Sequence, residues 1–120
     1  MASAFSHIAI PIALNIALGH QSISPKLLIL GMFLAIAPDL DAIAFLFEIP
    51  YSSQWGHRGF THSVFFALGI SLILLPTAKY FKAKHITFFF ITFISLTSHP
   101  LLDALTNGGL GVAFWWPFCF

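Results

Sequence analysis

Residues 26–47 read KLLILGMFLAIAPDLDAIAFLF. The run is long enough to cross a bilayer, because a spanning helix needs about 20 predominantly apolar residues. It nevertheless contains Pro38, Asp39 and Asp41. On insertion scales an aspartate at a helix centre costs roughly 2.5–3.5 kcal/mol, and intramembrane carboxylates are functional by default. The stretch therefore predicts a membrane helix, and it asks what balances its carboxylates.

The rest of the chain repeats the pattern. Of 120 residues, 58% are hydrophobic and 8% charged, against about 45–50% and about 25% in soluble domains. Mean hydropathy is +0.92. A net charge of +1 offers no basic patch for phosphates, so no nucleic-acid partner is expected. Cys119 is the single cysteine, so no intrachain disulfide forms.

Further apolar segments run from about Phe5 to Gly19, from near Thr61 to Phe81, and from His85 to about Leu105. No Lys or Arg precedes the first, so it reads as a retained helix rather than a signal peptide. The predicted fold is all-α: one membrane-embedded domain over residues 1–120, a bundle of about four transmembrane helices. Pro25 and the residues before it form a turn, residues 48–59 a polar loop, and Asn107-Gly108-Gly109 ends the last helix. Thr61 is the expected N-cap of the third helix. Trp115, Trp116 and Pro117 suit the membrane–water interface. Lys26, Lys79, Lys82 and Lys84 fall on one side and Arg58 on the other. The positive-inside rule puts the lysines in the cytoplasm and the residue 48–59 loop outside.

On that topology the polar residues gather. His7 starts the first helix, Asp39 and Asp41 lie late in the second, His57 and His62 precede the third, and His99 and Asp103 lie late in the fourth. All fall at the outer end. His99 and Asp103 are four residues apart and share a helix face. Asp39 and Asp41, two apart, would diverge on a regular helix, but Pro38 removes a backbone hydrogen bond and can turn both inward. A bound cation would turn the cost of the carboxylates into binding energy. Mixed His and Asp donors suit a divalent metal, zinc first, then manganese or iron.

The early His7, Pro38-Asp39-Leu40-Asp41, His57-Arg58-x-x-Thr61-His62-Ser63, His99-x-x-x-Asp103 and the closing Trp116-Pro117-Phe118 resemble the YdjM-type family of predicted membrane-bound metal-dependent hydrolases. The resemblance covers nearly the whole chain. It implies a prokaryotic inner-membrane hydrolase with metal ligands among His7, Asp39, Asp41, His57, His62, His99 and Asp103. A distant similarity to zinc-dependent phospholipase C, in the order of histidine and aspartate ligands, implies a phosphoester substrate, lipid-linked or small.

Other readings of these residues are less chemical. The aspartates can bond hydroxyls in helix packing, His57 and His62 can sit in a solvated loop, and His7 can meet headgroups. His20 and His85 read as boundary residues and Glu48 as a loop residue. In the hydrolase reading, Asp39 or Asp41 is the general base, Arg58 clamps the substrate anion or anchors to lipid phosphate, and Thr61 and Ser63 orient a histidine from behind. The alternatives are a small ion- or proton-handling protein, since such residues also build relays, and a non-catalytic partner protein stabilised by its metal.

Overall fold

The computed structural model describes residues 4–51, 53–106 and 111–118, so the predicted break at Asn107-Gly108-Gly109 lies outside the described residues. Four α-helices dominate: α1 (Ala4–Leu18), α2 (Pro25–Ile36), α3 (Val64–Leu74) and α4 (His85–Ala104), with no strand among the described residues. Two helices continue past a proline in the tighter i→i+3 geometry. α2 runs on through Ala37–Phe47 and α3 through Leu75–Phe81. The causes are Pro38 and Pro76, which lack an N–H and would clash with the carbonyl four residues back. With these extensions, Pro25–Phe47, Val64–Phe81 and His85–Ala104 are long and apolar enough to cross a membrane. α1 is shorter: its 15 residues rise only ~22 Å, less than the ~30 Å hydrocarbon core.

Local signals explain the ends. Gly19, at φ 83°, takes the left-handed conformation that closes α1. Ser24 caps α2 by accepting from Leu27 N–H at 3.2 Å, with Pro25 in the first turn. Ser63, not Thr61, caps α3, accepting from Phe66 N–H at 3.0 Å. Phe60–His62 form a separate 3-10 turn ahead of it, which frees the Thr61 hydroxyl for another partner.

α4 is the central element and packs against α1, α2 and α3. Its buried face carries Phe88, Ile91, Thr92, Ser95, Leu96, His99 and Asp103, which recur at helical spacing. Gly31 brings α2 close to α1 and α4. A Cβ there would lie 3.2 Å from both Pro11 Cβ and Ser95 Oγ. Ile23, Leu27, Ala78, Phe88 and Ile91 pack together at one end, and Leu34, Ala67 and Leu96 further along. The surface inverts the soluble pattern. Ile16, Ile29, Phe33, Ile73 and Phe90 are exposed, while Asn15, Ser71, Thr92, Ser95 and Asp103 are buried. Apolar-out, polar-in packing is what a lipid solvent selects. The 43 Å long axis matches the ~40–45 Å of a whole bilayer.

At one end the Ser24 hydroxyl donates to the Phe81 carbonyl, bringing the α1–α2 and α3–α4 connections together. The exposed lysines at Lys26, Lys79, Lys82 and Lys84 belong to this end. Filling the close approach at Gly31 tests this packing. Gly31→Leu is expected to cost about 1–3 kcal/mol through overpacking, read as a lower unfolding temperature in detergent, while Gly69→Ala, where an added Cβ meets nothing within 4 Å, holds or raises it.

Candidate metal centre

The opposite end is organised around Asp103, whose side chain is 4% exposed. From α1, His7 Nε2 lies 3.6 Å from Asp103 Oδ1. His62 Nε2, from the turn before α3, lies 3.7 Å from Oδ2, and His99 Nε2 lies 3.6 Å from the same oxygen. Arg58 Nε approaches Oδ2 at 3.4 Å. Asp39 Oδ1 faces His99 Nε2 at 3.2 Å. Ligand atoms of Asp39, His62, His99 and Asp103 all lie within 4.8 Å of one another.

The tautomers give this geometry its chemical meaning. His99 Nδ1–H donates to the Ala35 carbonyl at 2.7 Å, so in the neutral ring Nε2 carries a lone pair. The switch to i→i+3 bonding after Ile36 turns amides away from the last α-turn, which leaves a carbonyl of that turn open. His62 Nδ1 faces Asp41 Oδ2 at 3.2 Å, so its Nε2 is likewise the free atom, and it is buried without a hydrogen-bond partner. Both rings thus present lone pairs to carboxylate oxygens, an arrangement that requires a proton or a cation between them. The gaps of 3.6–3.7 Å are long for hydrogen bonds. They are close to the ~3.3 Å edge of a tetrahedron built from metal–ligand bonds of about 2.0–2.1 Å. The donor set therefore fits a divalent metal ion.

His7 adds to the same wall. Its ring is fully buried, stacks on His99 with centroids 3.8 Å apart, and has no hydrogen-bond partner at either nitrogen. Asp41 and His57 sit behind the cluster. Asp41 Oδ1 accepts from His57 Nδ1–H at 2.5 Å, and Oδ2 accepts from Arg58 N–H at 3.2 Å and from the Thr61 hydroxyl. With His62 also on Oδ2, both Asp41 oxygens have donors or imidazole nitrogens beside them, and a carboxylate bonded to an imidazole commonly fixes a metal-binding ring. Thr61 Oγ1 also lies 3.1 Å from His62 Nδ1. The Ser63 hydroxyl donates to the Phe60 carbonyl beside its capping role. Burial pushes the His62 pKa down, but Asp103 and Asp41 outweigh it and hold it above the ordinary histidine value.

The loop that delivers His57 and Arg58 is tightly folded. A Cβ on Gly56 would lie 2.2 Å from the Pro50 carbonyl oxygen, and one on Gly59 2.2 Å from that of Gln54. Between them Arg58 adopts φ 68°, a conformation that L-residues seldom take. Its N–H is held by Asp41 and its carbonyl by Ala113 N–H at 3.1 Å. The side chain is buried, with Nε and Nη2 lacking hydrogen-bond partners. The tail closes over this loop. Phe114 O accepts from Val64 N–H at 3.1 Å, and Trp116 Nε1–H donates to Gln54 Oε1 at 3.2 Å.

Most of the residues singled out in the sequence thus meet at one end. His20 lies elsewhere, bonded by Asn15 Nδ2–H at 3.0 Å, and His85 and Glu48 are exposed. Sequence reasoning missed the Ala35 carbonyl, which has no side-chain signature beyond its place before Pro38. It also missed the need for glycine at residues 56 and 59.

A helical membrane bundle with a buried histidine–aspartate cluster at one end defines the class. The chain belongs to the YdjM inner membrane protein family, which it matches over residues 1–119. It is 40% identical over 119 residues to "Inner membrane protein YbcI" of Escherichia coli (strain K12), covering 98% of this chain and 69% of that one. No solved structure matches.

Two outcomes follow. Gly59→Ala, whose Cβ would meet the Gln54 carbonyl oxygen, should loosen the loop that holds His57 and Arg58 and lower the unfolding temperature in detergent, with helix content retained in circular dichroism. A raised His62 pKa stabilises the metal-free protein fully below the ordinary value of about 6.5 and loses that contribution as pH rises through the higher folded-state value. Metal-free wild type should therefore lose more thermal stability than His62→Gln across that rise.

Proposed function

We propose that this protein is a membrane-bound, metal-dependent hydrolase acting on a phosphoester. The whole of residues 1–120 serves as one membrane-embedded domain. The observation that carries the reading is the buried set of imidazole nitrogens facing carboxylates, His62 and His99 against Asp103 and Asp39. These four residues would hold a divalent ion, zinc by the donor set, with His7 as a further donor on the α1 side. Such an ion supplies Lewis-acid polarisation of a substrate oxygen and makes water easier to deprotonate.

The chain's own residues supply the rest. Asp39 is the accessible member of the set, its side chain 33% exposed against 0–4% for His62, His99 and Asp103. Substrate and water reach the centre on that side, and Asp39 takes the proton of the attacking water as general base. Asp41 holds His62 and His57 in place and keeps His62 Nε2 available as a lone pair. Arg58 is buried with its Nη2 unpartnered and its Nε 3.4 Å from Asp103 Oδ2, so its guanidinium can hold a phosphoryl oxygen. Phosphate esters suit a site that combines a guanidinium with a Lewis acid, because charge develops on the phosphoryl oxygens during transfer. The location at the bundle's end, level with the interface, admits a lipid headgroup as well as a soluble ester. The lysine end faces the cytoplasm, so the centre opens to the extracytoplasmic side.

Elemental analysis of the detergent-purified protein is expected to find bound zinc or manganese, lost in His99→Ala and Asp103→Ala. The loaded wild type should hydrolyse members of a lipid and nucleotide phosphoester panel, and Asp39→Asn should lower kcat at least a hundredfold while keeping most of the metal. A metal-loaded protein inactive across the panel would remove the hydrolase reading. Metal-dependent ion or proton flux in proteoliposomes would favour an ion-handling role instead. In Cys119→Ser protein, a cysteine introduced at Ser53 should react with a membrane-impermeant maleimide applied outside, and one at Lys82 should not.

A further inference from the structure

We infer that the centre takes a single divalent ion and that Arg58 is its built-in counter-charge, an inference that rests on the proposed metal site. Charge points there first. Asp39, Asp41 and Asp103 bring three negative charges to the cluster and Arg58 one positive, which leaves two negative charges once the imidazoles are neutral. Ligation requires neutral imidazoles. The other charged side chains, Lys26, Glu48, Lys79, Lys82 and Lys84, are all exposed. One divalent ion therefore brings the buried end of the bundle to neutrality. A second would leave two uncompensated positive charges in an apolar surround, where unpaired charge is costly.

The spacing agrees. The four ligand atoms lie within 4.8 Å of one another. Around one ion with bonds of about 2.0–2.2 Å, ligand atoms stand ~3.3–4.4 Å apart, so the widest pair would close by at least ~0.4 Å on binding. Two ions ~3.5–4 Å apart would spread their outer ligands to on the order of 7 Å. A second ion would also lack ligands. Beyond the four, His7 offers one nitrogen toward Asp103 Oδ1, and the oxygens of Asp41 already accept from His57, Arg58 N–H and Thr61.

Arg58 is placed for the balancing role. Its Nε lies 3.4 Å from Asp103 Oδ2, the oxygen that His62 and His99 also face. The strained φ of 68° is held by Asp41 on one side and Ala113 on the other. The loop thus spends backbone strain on bringing a permanent positive charge to the most shared ligand. That charge opposes an incoming cation and limits how many the cluster accepts.

Zinc titrated into metal-free, detergent-purified wild type, followed by calorimetry and by counting bound metal, reads the stoichiometry directly. One ion per chain is expected. Arg58→Gln should still take zinc, roughly tenfold or more tightly, because a repelling charge is removed. Arg58→Lys should stay near wild type. Two ions of similar affinity in the wild type would overturn the inference and leave the proposed site standing. Weaker binding in Arg58→Gln, in protein with unchanged circular dichroism, would overturn the counter-charge role. If Arg58→Gln does not fold, the wild-type stoichiometry and a large change in Arg58→Lys still decide. No zinc binding by the wild type would remove the proposed function itself.

Discussion

One carboxylate ties one end of this molecule together. Asp103 is buried, and four parts of the chain converge on it: His7 from α1, Arg58 from the loop, His62 from the turn before α3, and His99 from its own helix. Burying it inside an apolar bundle is unfavourable unless positive charge accompanies it. The surrounding features follow from that demand. α4 sits at the centre because it carries the aspartate, and the loop accepts a left-handed arginine to reach it. The histidines are aimed by acceptors on their far sides, the Ala35 carbonyl for His99 and Asp41 for His62.

The prolines connect fold to site. Pro38 ends regular α-geometry just where Asp39 and Asp41 begin, and the tighter helix lets both carboxylates face inward although they are two residues apart. The two then separate in role. Asp39 faces His99 and keeps contact with solvent, while Asp41 is enclosed by His57, Arg58 N–H, Thr61 and His62. The tail does not merely mark the membrane surface with its tryptophans. Its backbone bonds to Arg58 and Val64, and so it holds the loop against the bundle.

Much of this was legible in the sequence, for a physical reason. In a chain with 8% charged residues, an aspartate within an apolar run stands out. Helical spacing put His99 and Asp103 on one face, and the lysines separated the two ends. The sorting of the polar residues between the two ends of the bundle therefore needed no structure. What remained hidden depended on backbone detail. Whether Thr61 or Ser63 caps α3 turns on where the preceding 3-10 turn ends, and both hydroxyls suit the position. Which aspartate faces the centre depends on helix type after Pro38. The Ala35 carbonyl has no side-chain signature. α1 reads as a span by its apolar character, yet its 15 residues leave it shorter than the others.

The central claim is that two imidazole nitrogens and carboxylate oxygens from Asp39 and Asp103 surround one ion. X-ray absorption spectroscopy of the zinc-loaded protein tests it most directly. Nitrogen and oxygen neighbours at about 2.0–2.1 Å and outer-shell scattering from two or three imidazoles are expected, with no zinc–zinc vector. A spectrum with sulfur scattering, no imidazole signal, or a second zinc at ~3.5–4 Å would contradict it.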